Sequence, residues 1–292
     1  MGRDEPLSLR RSSASLPGEA TGLREQPVLA KYIDTTTCIG CKACEVACAE
    51  WNDLPPVSAA RAASSYQTLP SLDVSFWNLI RFSERETEGG GLAWLMRKDQ
   101  CMHCEDPGCL AACPAPGAIV QYENGIVDVD ASRCIGCGYC LTGCPFNVPR
   151  FHAETGKMAK CTLCVDRVEV GLEPACVKAC PTGCLQFGTK QDMLALGALR
   201  VEQLKGNGFA KAAVYDPQGV GGTSVVTVLA HGDHPEWYDL PADPHVPLAV
   251  RIWKQVLRPL GSLAIVGTIV AAFAHFMTHG PAGPTPPAAP DS

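Results

Sequence analysis

One apolar run dominates the hydropathy pattern. From Pro259 to His279 there are 21 residues without Asp, Glu, Lys or Arg. As an α-helix such a run is about 31 Å long, enough to cross a hydrocarbon core. Gly261, Ser262, Gly267, Thr268, Ala271, Ala272 and Ala274 make it rich in small residues, which favours close packing against other membrane helices. Trp253 stands one or two turns earlier, a position suited to the interface. A buried soluble helix fits less well, because the run is terminal and a tail with Pro281, Pro284, Pro286, Pro287 and Pro290 follows. His275 lies inside the span, where an ionisable residue invites a functional reading. It is also about one turn from the end, so a hydrogen bond to a neighbouring helix or headgroup explains it equally well. His279 belongs at the interface.

The remaining patterns are shorter. Gln191 to Leu204 reads as an amphipathic helix ending near Gly206. Ile119–Tyr122 and Ile126–Val129 flank Glu123-Asn124-Gly125, and Asn-Gly between two β-rich runs predicts a hairpin. Ala212–Tyr215 and Thr223–Leu229 read as two strands around Asp216-Pro217-Gln218-Gly219. Gly219–Gly222 is not a phosphate loop, since no Lys-Ser/Thr follows. Glu84 to Gly91 reads as an exposed turn inside an insertion over 49–100.

These patterns divide the chain. Residues 1–30, rich in Ser, Gly, Pro and charge, form a flexible N-terminal arm. Its Arg10-Arg11 pair resembles a twin-arginine export signal, but the polar stretch Ser12 to Gly18 follows instead of an apolar one. Residues 31–190 form the cysteine-bearing domain, and 191–247 a helix and β-hairpin that cover it. Residues 248–279 are the membrane helix with an interfacial lead-in, and 280–292 a Pro-rich tail.

Candidate chemistry lies in the cysteines. Sixteen of seventeen fall into four groups. Cys38, Cys41, Cys44, Cys48 and Cys134, Cys137, Cys140, Cys144 both read C-x2-C-x2-C-x3-C. In Cys101, Cys104, Cys109, Cys113 the middle gap is four residues, and in Cys161, Cys164, Cys176, Cys180 it is eleven. Cys113, Cys144 and Cys180 each precede a proline, which fixes φ after the ligand. This is the bacterial ferredoxin run, met four times. Three closely spaced thiolates wrap one cluster, and the fourth, on the following helical turn, reaches another. Gly40 and Gly136 let backbone N–H groups approach sulfur, and Ala43, Ala47 and Ala112 leave room for the inorganic core.

Zinc ribbons use two separate pairs per metal, not tight sets of four. Disulfide frameworks need looser spacing. A clusterless relic would have lost ligands, and no group has. Sixteen ligands therefore make four 4Fe–4S clusters, and folding should depend on their insertion. Cys184 has no partner group and reads as a small buried residue. His103, between two ligands, reads as an outer neighbour of a cluster or a surface contact with a catalytic partner. Lys42, Arg133 and Lys160 adjoin ligands, where they either offset cluster charge or remain solvated. The net charge of −6 gives no sign of nucleic acid. Nothing forms a nucleophile–base set, a flavin or nicotinamide fingerprint or a pterin site, so no catalytic centre is expected.

The segments Cys38–Cys44, Glu50-Trp51-Asn52-Asp53, Cys101–Cys109 and Lys160–Arg167 resemble the iron–sulfur (beta) subunit of membrane-bound respiratory formate dehydrogenase. The resemblance runs from about residue 31 to 280 and includes Gly219–Thr223 and the C-terminal span. Dimethyl sulfoxide, polysulfide and nitrate reductases and some hydrogenases share the cluster runs; the span and Trp51-Asn52-Asp53 narrow the choice. The resemblance implies an α+β fold of two ferredoxin-like modules. It also implies a molybdopterin or tungstopterin catalytic alpha subunit that oxidises formate, and a haem b integral membrane gamma subunit that reduces quinone. An electron wire in a hydrogenase or a dimethyl sulfoxide/polysulfide-type reductase is the alternative. Paired-ferredoxin logic gives the ligand sets Cys38, Cys41, Cys44 with Cys180; Cys161, Cys164, Cys176 with Cys48; Cys101, Cys104, Cys109 with Cys144; and Cys134, Cys137, Cys140 with Cys113. The inner module is then about 95–147 and the outer one 31–94 with 148–190. Arg251, Lys254 and Arg258 before the span would place the cluster domain in the cytoplasm. The resemblance places it in the periplasm, anchored in the inner membrane by a single pass. We favour the latter, because the charge rule is weak for a large domain exported already folded.

Overall fold

The computed structural model describes residues 7–14, 26–56, 66–87 and 89–280. The chain divides into two units, Met1–Pro247 and Leu248–Ser292. In chain order the first holds β1 (Leu9–Ser12), β2 (Leu29–Asp34), α1 (Ala43–Trp51), β3 (Asn78–Glu86), β4 (Leu92–Gln100), α2 (Gly108–Ala112), β5 (Ile119–Tyr122), β6 (Val127–Val129) and α3 (Tyr139–Thr142). There follow β7 (Arg150–Phe151), β8 (Met158–Ala159), α4 (Val165–Glu169), α5 (Ala175–Lys178), β9 (Leu185–Thr189), α6 (Lys190–Gly206), β10 (Ala213–Tyr215) and β11 (Val225–Leu229).

A four-stranded sheet, in the order β10-β11-β2-β9, organises the unit. β2 is buried on both faces, and side chains alternate across a strand. Ala30 and Tyr32 pack with Met193, Val201 and Leu204 of α6. Ile33 packs on the other face with Cys44, Cys176 and Leu185. Lys31 shares the parity of Ile33, so its side chain is directed among the cysteines. α6 begins where Thr189 Oγ1 accepts a hydrogen bond from Asp192 N at 3.1 Å, an N-cap. The hairpin at Asn124-Gly125 forms as expected, with Ile119 opposite Val129. β10 and β11 pair antiparallel. They do more than cover the domain, because β11 also pairs parallel with β2 inside the sheet.

The N-terminal arm departs from expectation. Leu9–Ser12 is a strand paired antiparallel with β5. Ser13 is fully buried, its hydroxyl donating to Ala115 O at 2.6 Å and accepting from Ile119 N at 3.0 Å. Arg10 pairs with Glu105, and Arg11 with Asp106 at 3.5 Å. Backbone ladder bonds and ion pairs hold this strand, so it carries no apolar run to betray it. Residues 29 and 30, also assigned to the arm, belong to β2.

α1 packs against α5, and α2 against α3. At the second contact the backbones nearly touch. A Cβ on Gly108 would lie 2.2 Å from Gly143 O, and one on Gly143 would lie 2.5 Å from Gly108 O. Val246 packs on the same spot, with its Cγ1 3.3 Å from that Gly108 position.

The second unit is α7 (Leu248–Ile252), a wide π-helical turn over Trp253–Leu257, and α8 (Arg258–His279). α8 has a mean hydropathy of 1.9 and is long enough to cross a membrane. Pro259 sits in its first turn, and the wide turn before it accommodates the missing N–H. Ser262, Thr268 and Thr278 satisfy their hydroxyls on carbonyls four residues back, at 2.8–3.0 Å. The rings of His275 and His279 stack 4.3 Å apart. Residues 281–292, which hold the expected Pro-rich tail, lie outside the described residues.

Gly143→Ala should destabilise the cluster unit by about 1–3 kcal/mol, because backbone must move to admit the methyl group. Thermal melting of the holoprotein reads this as a lower midpoint with iron loss. An unchanged melting curve would contradict the close approach of α2 and α3.

Candidate iron–sulfur cluster sites

All four cysteine groups open on a C-x2-C loop with one shared backbone device. The residue before the second cysteine is left-handed, with φ of 64° at Gly40, 47° at His103, 71° at Gly136 and 55° at Leu163. This turns the N–H back toward the first sulfur. Leu163 N donates to Cys161 Sγ at 3.4 Å, Gly40 N–H to Cys38, and His103 N–H to Cys101. Glycine is needed at 136, where a Cβ would lie 2.8 Å from Gly156 O. His103 and Leu163 adopt the same conformation at a penalty of about 1–2 kcal/mol each. Packing offsets it: Leu163 is buried with Ile126 and Val168. His103 is 1% exposed, and its Nδ1 accepts from Val127 N at 3.0 Å. Burial, with Lys160 and Lys31 nearby, pushes His103 far below the usual imidazole range, so it is neutral. That excludes its role as a surface contact.

The last two cysteines of each group lie four residues apart: Cys44 and Cys48 on α1, Cys109 and Cys113 at α2, Cys140 and Cys144 at α3, Cys176 and Cys180 at α5. The two members of each pair turn to different hollows, and at α2, α3 and α5 the last cysteine lies past the helix end. Cys38, Cys41, Cys44 and Cys180 line one hollow of about 390 Å³, its mouth included. Cys48, Cys161, Cys164 and Cys176 line a second of about 290 Å³. Cys113, Cys134, Cys137 and Cys140 line a third of about 300 Å³. Burial, and then the neighbouring sulfurs of Cys101, Cys109 and Cys144, push the Cys104 thiol far up, and these four gather as a fourth set. Among the described residues no three His, Cys, Asp or Glu side chains close on a point as a single ion requires. Thiols ringing a hollow fit a polynuclear cluster, whereas tetrahedral zinc needs sulfurs about 2.3 Å from one centre.

The irregular gaps are held by other segments. Glu105 N donates to Gly222 O at 2.9 Å and Asp106 N to Val220 O at 2.8 Å, so Gly219–Thr223 braces the loop before Cys109. Trp51 Nε1 donates to Asp166 Oδ2 at 2.7 Å, and the Arg167 guanidinium lies 4.2 Å from the Trp51 ring centre. Asn52 Nδ2 donates to Cys48 O at 2.8 Å and lies 3.5 Å from Cys48 Sγ. Two segments far apart in sequence thus lock together beside the second hollow.

Residues 37–118 and 92–190 each match a family described as a 4Fe-4S dicluster domain, and residues 246–286 match formate dehydrogenase N, transmembrane. The formate dehydrogenase iron-sulfur subunit of Haemophilus influenzae is 54% identical over 254 residues, 87% of this chain and 81% of its own. The chain belongs to the formate dehydrogenase iron–sulfur subunit family. In Escherichia coli the nitrate-inducible formate dehydrogenase iron-sulfur subunit is 54% identical, over 87% of this chain and 86% of its own. The formate dehydrogenase-O iron-sulfur subunit is 50% identical, over 94% and 91%. Like its family, this chain is an electron-transfer subunit of an oxidoreductase complex, with two dicluster domains accounting for four 4Fe–4S clusters.

Three buried lysines stand among the cysteines of this family member: Lys31, Lys98 and Lys160. Sequence singled out only Lys160, whose Nζ donates to Cys161 O at 3.0 Å and to Val127 O. Lys31 Nζ donates to Gln100 Oε1 at 2.5 Å and lies 3.5 Å from Cys176 Sγ. Burial alone would lower Lys98 and Lys160, but the surrounding cysteines, once ionised, hold both above the usual lysine range. Arg133 is exposed and paired with Asp130 at 3.1 Å, and half-buried Lys42 donates to Tyr66 O. Cys184 is buried, as expected, but not idle. Its Sγ lies 3.4 Å from Cys180 Sγ, it lines the first hollow, and its thiol hydrogen bond holds Cys38 below the usual thiol range.

Anaerobically purified protein should hold about sixteen iron and sixteen acid-labile sulfide per chain. Cys184→Ala should leave that content unchanged, whereas Cys134→Ala should lower it by about a quarter or prevent folding. Zinc in place of iron would contradict the cluster assignment.

Proposed function

We propose that the sixteen grouped cysteines ligate four clusters in the crossed sets above. The chain then relays electrons from a pterin-bound molybdenum or tungsten subunit that oxidises formate to a haem b membrane subunit and quinone. When bound, each 4Fe–4S cluster supplies a one-electron carrier whose potential follows charge, hydrogen bonds and exposure. One observation carries the relay reading. Cys41 and Cys137 are the exposed members of the sixteen, while every cysteine of the Cys48 and Cys101 sets is buried or half-buried. The chain therefore shields the middle of the series from water and opens it at two ends.

Each end has an apolar rim. Ile39, Val46, Tyr66 and Trp94 are exposed near Cys41 in sequence or through the Tyr66–Phe82–Trp94 ring cluster, and we assign that rim to the catalytic subunit. Ile135 and Tyr139 flank Cys137, and we assign them to the haem subunit. The family resemblance supports a periplasmic cluster domain.

In the assembled complex, Tyr139→Asp should slow formate-dependent quinone reduction by about tenfold, the weight of one interface anchor. Formate oxidation with an artificial acceptor should stay normal. An unchanged quinone rate would remove Tyr139 from the exit face. Externally added protease should digest the cluster domain in intact spheroplasts; digestion only after lysis would place it in the cytoplasm.

A further inference from the structure

Lys98 lies on β4 opposite Ile80 of β3 and is 3% exposed. Its ammonium has no hydrogen-bond partner among the described residues. The other two buried lysines are anchored to neutral oxygens, Lys31 on Gln100 and Lys160 on two carbonyls. Lys98 is not. A buried, unanswered ammonium carries a penalty of several kcal/mol, so its retention calls for a counter-charge.

The surroundings indicate where that counter-charge comes from. Lys98 lines both the hollow of Cys38, Cys41, Cys44 and Cys180 and the hollow of Cys48, Cys161, Cys164 and Cys176. It therefore stands in the wall between them. By contrast, the hollow of Cys113, Cys134, Cys137 and Cys140 has no lysine in its lining.

We propose that the Lys98 ammonium is an electrostatic bridge shared by two adjacent clusters, raising the reduction potentials of both and leaving the terminal cluster at the Cys137 end unshifted. No bond forms or breaks. The electron lost by one cluster of the pair is gained by the other, and the fixed positive charge between them stabilises it on either side. Because one cation serves both, its charge adds little to the difference between them. The low-dielectric wall gives the charge its reach, and distance confines it to the near pair. This inference rests on the reading of the sixteen cysteines as ligands of four clusters.

The test uses the intact complex with Lys98→Met and Lys98→Arg. Iron and sulfide are measured first, because a wild-type protein without four clusters fails the underlying reading and not the bridge. Potentiometric titration followed by electron paramagnetic resonance then resolves the clusters. Lys98→Met should lower two of the potentials, each by tenfold or more in the reduction equilibrium, which is 59 mV for one electron. Lys98→Arg, which keeps the charge, should stay near wild type. Loss of clusters from Lys98→Met with retention in Lys98→Arg would also support the charge requirement. Loss from both would mean a packing role and overturn the proposal. Unchanged potentials in a fully loaded Lys98→Met, or an equal fall in all four, would overturn it as well.

Discussion

A cubane cluster draws thiolates from several directions at once, and the last two cysteines of each group, four residues apart, turn to different hollows. Most of the fold follows from that constraint. α1 carries both members of such a pair, while α2, α3 and α5 carry the third cysteine and release the fourth just past their last residue, so each helix stands between two sets. Helices that share two hollows must lie side by side, as α1 does with α5 and α2 with α3. The backbones of Gly108 and Gly143 meet because nothing larger fits between α2 and α3. The first and fourth groups, far apart in sequence, are drawn together by the same requirement. The four-stranded sheet joins them, since β2 leads into the first group and β9 leaves the fourth.

Charge is the second constraint. Each set concentrates sulfur in a place that burial has made dry, and burial pushes most of these thiols up, Cys48 and Cys140 to about 12. Left empty, such sets hold their protons, so metal binding and folding are coupled through proton release. Once loaded, the negative charge has to be met from within. Backbone N–H groups aimed at sulfur by the left-handed loop position supply part of it. The buried lysines supply the rest, in a chain whose overall charge is −6.

Features fixed by local chemistry were legible in the sequence. Cysteine spacing marked out the four groups, Asn124-Gly125 the hairpin, charge-free length the membrane helix, and periodicity the helix now seen over Lys190–Gly206. Features fixed by distant partners were not. Lys31 and Lys98 sit in strands, where a lysine ordinarily marks the solvent face; only the cysteine hollows explain their direction. β1 has no apolar pattern because ion pairs to Glu105 and Asp106 hold it. Left-handed glycines at 40 and 136 were foreseeable, but the same conformation at His103 and Leu163 was not, because packing sustains it. Cys184 looked solitary, since its contact with Cys180 depends on the loop between them.

In the proposed arrangement the fourth cysteine of each group serves a neighbouring group. Anomalous diffraction at the iron edge from crystals of the anaerobic complex tests it most directly. Four compact iron peaks are expected, one between Cys180 and the Cys38 group, one between Cys48 and the Cys161 group, one between Cys144 and the Cys101 group, and one between Cys113 and the Cys134 group. An iron peak bonded to both Cys38 and Cys48 would contradict it.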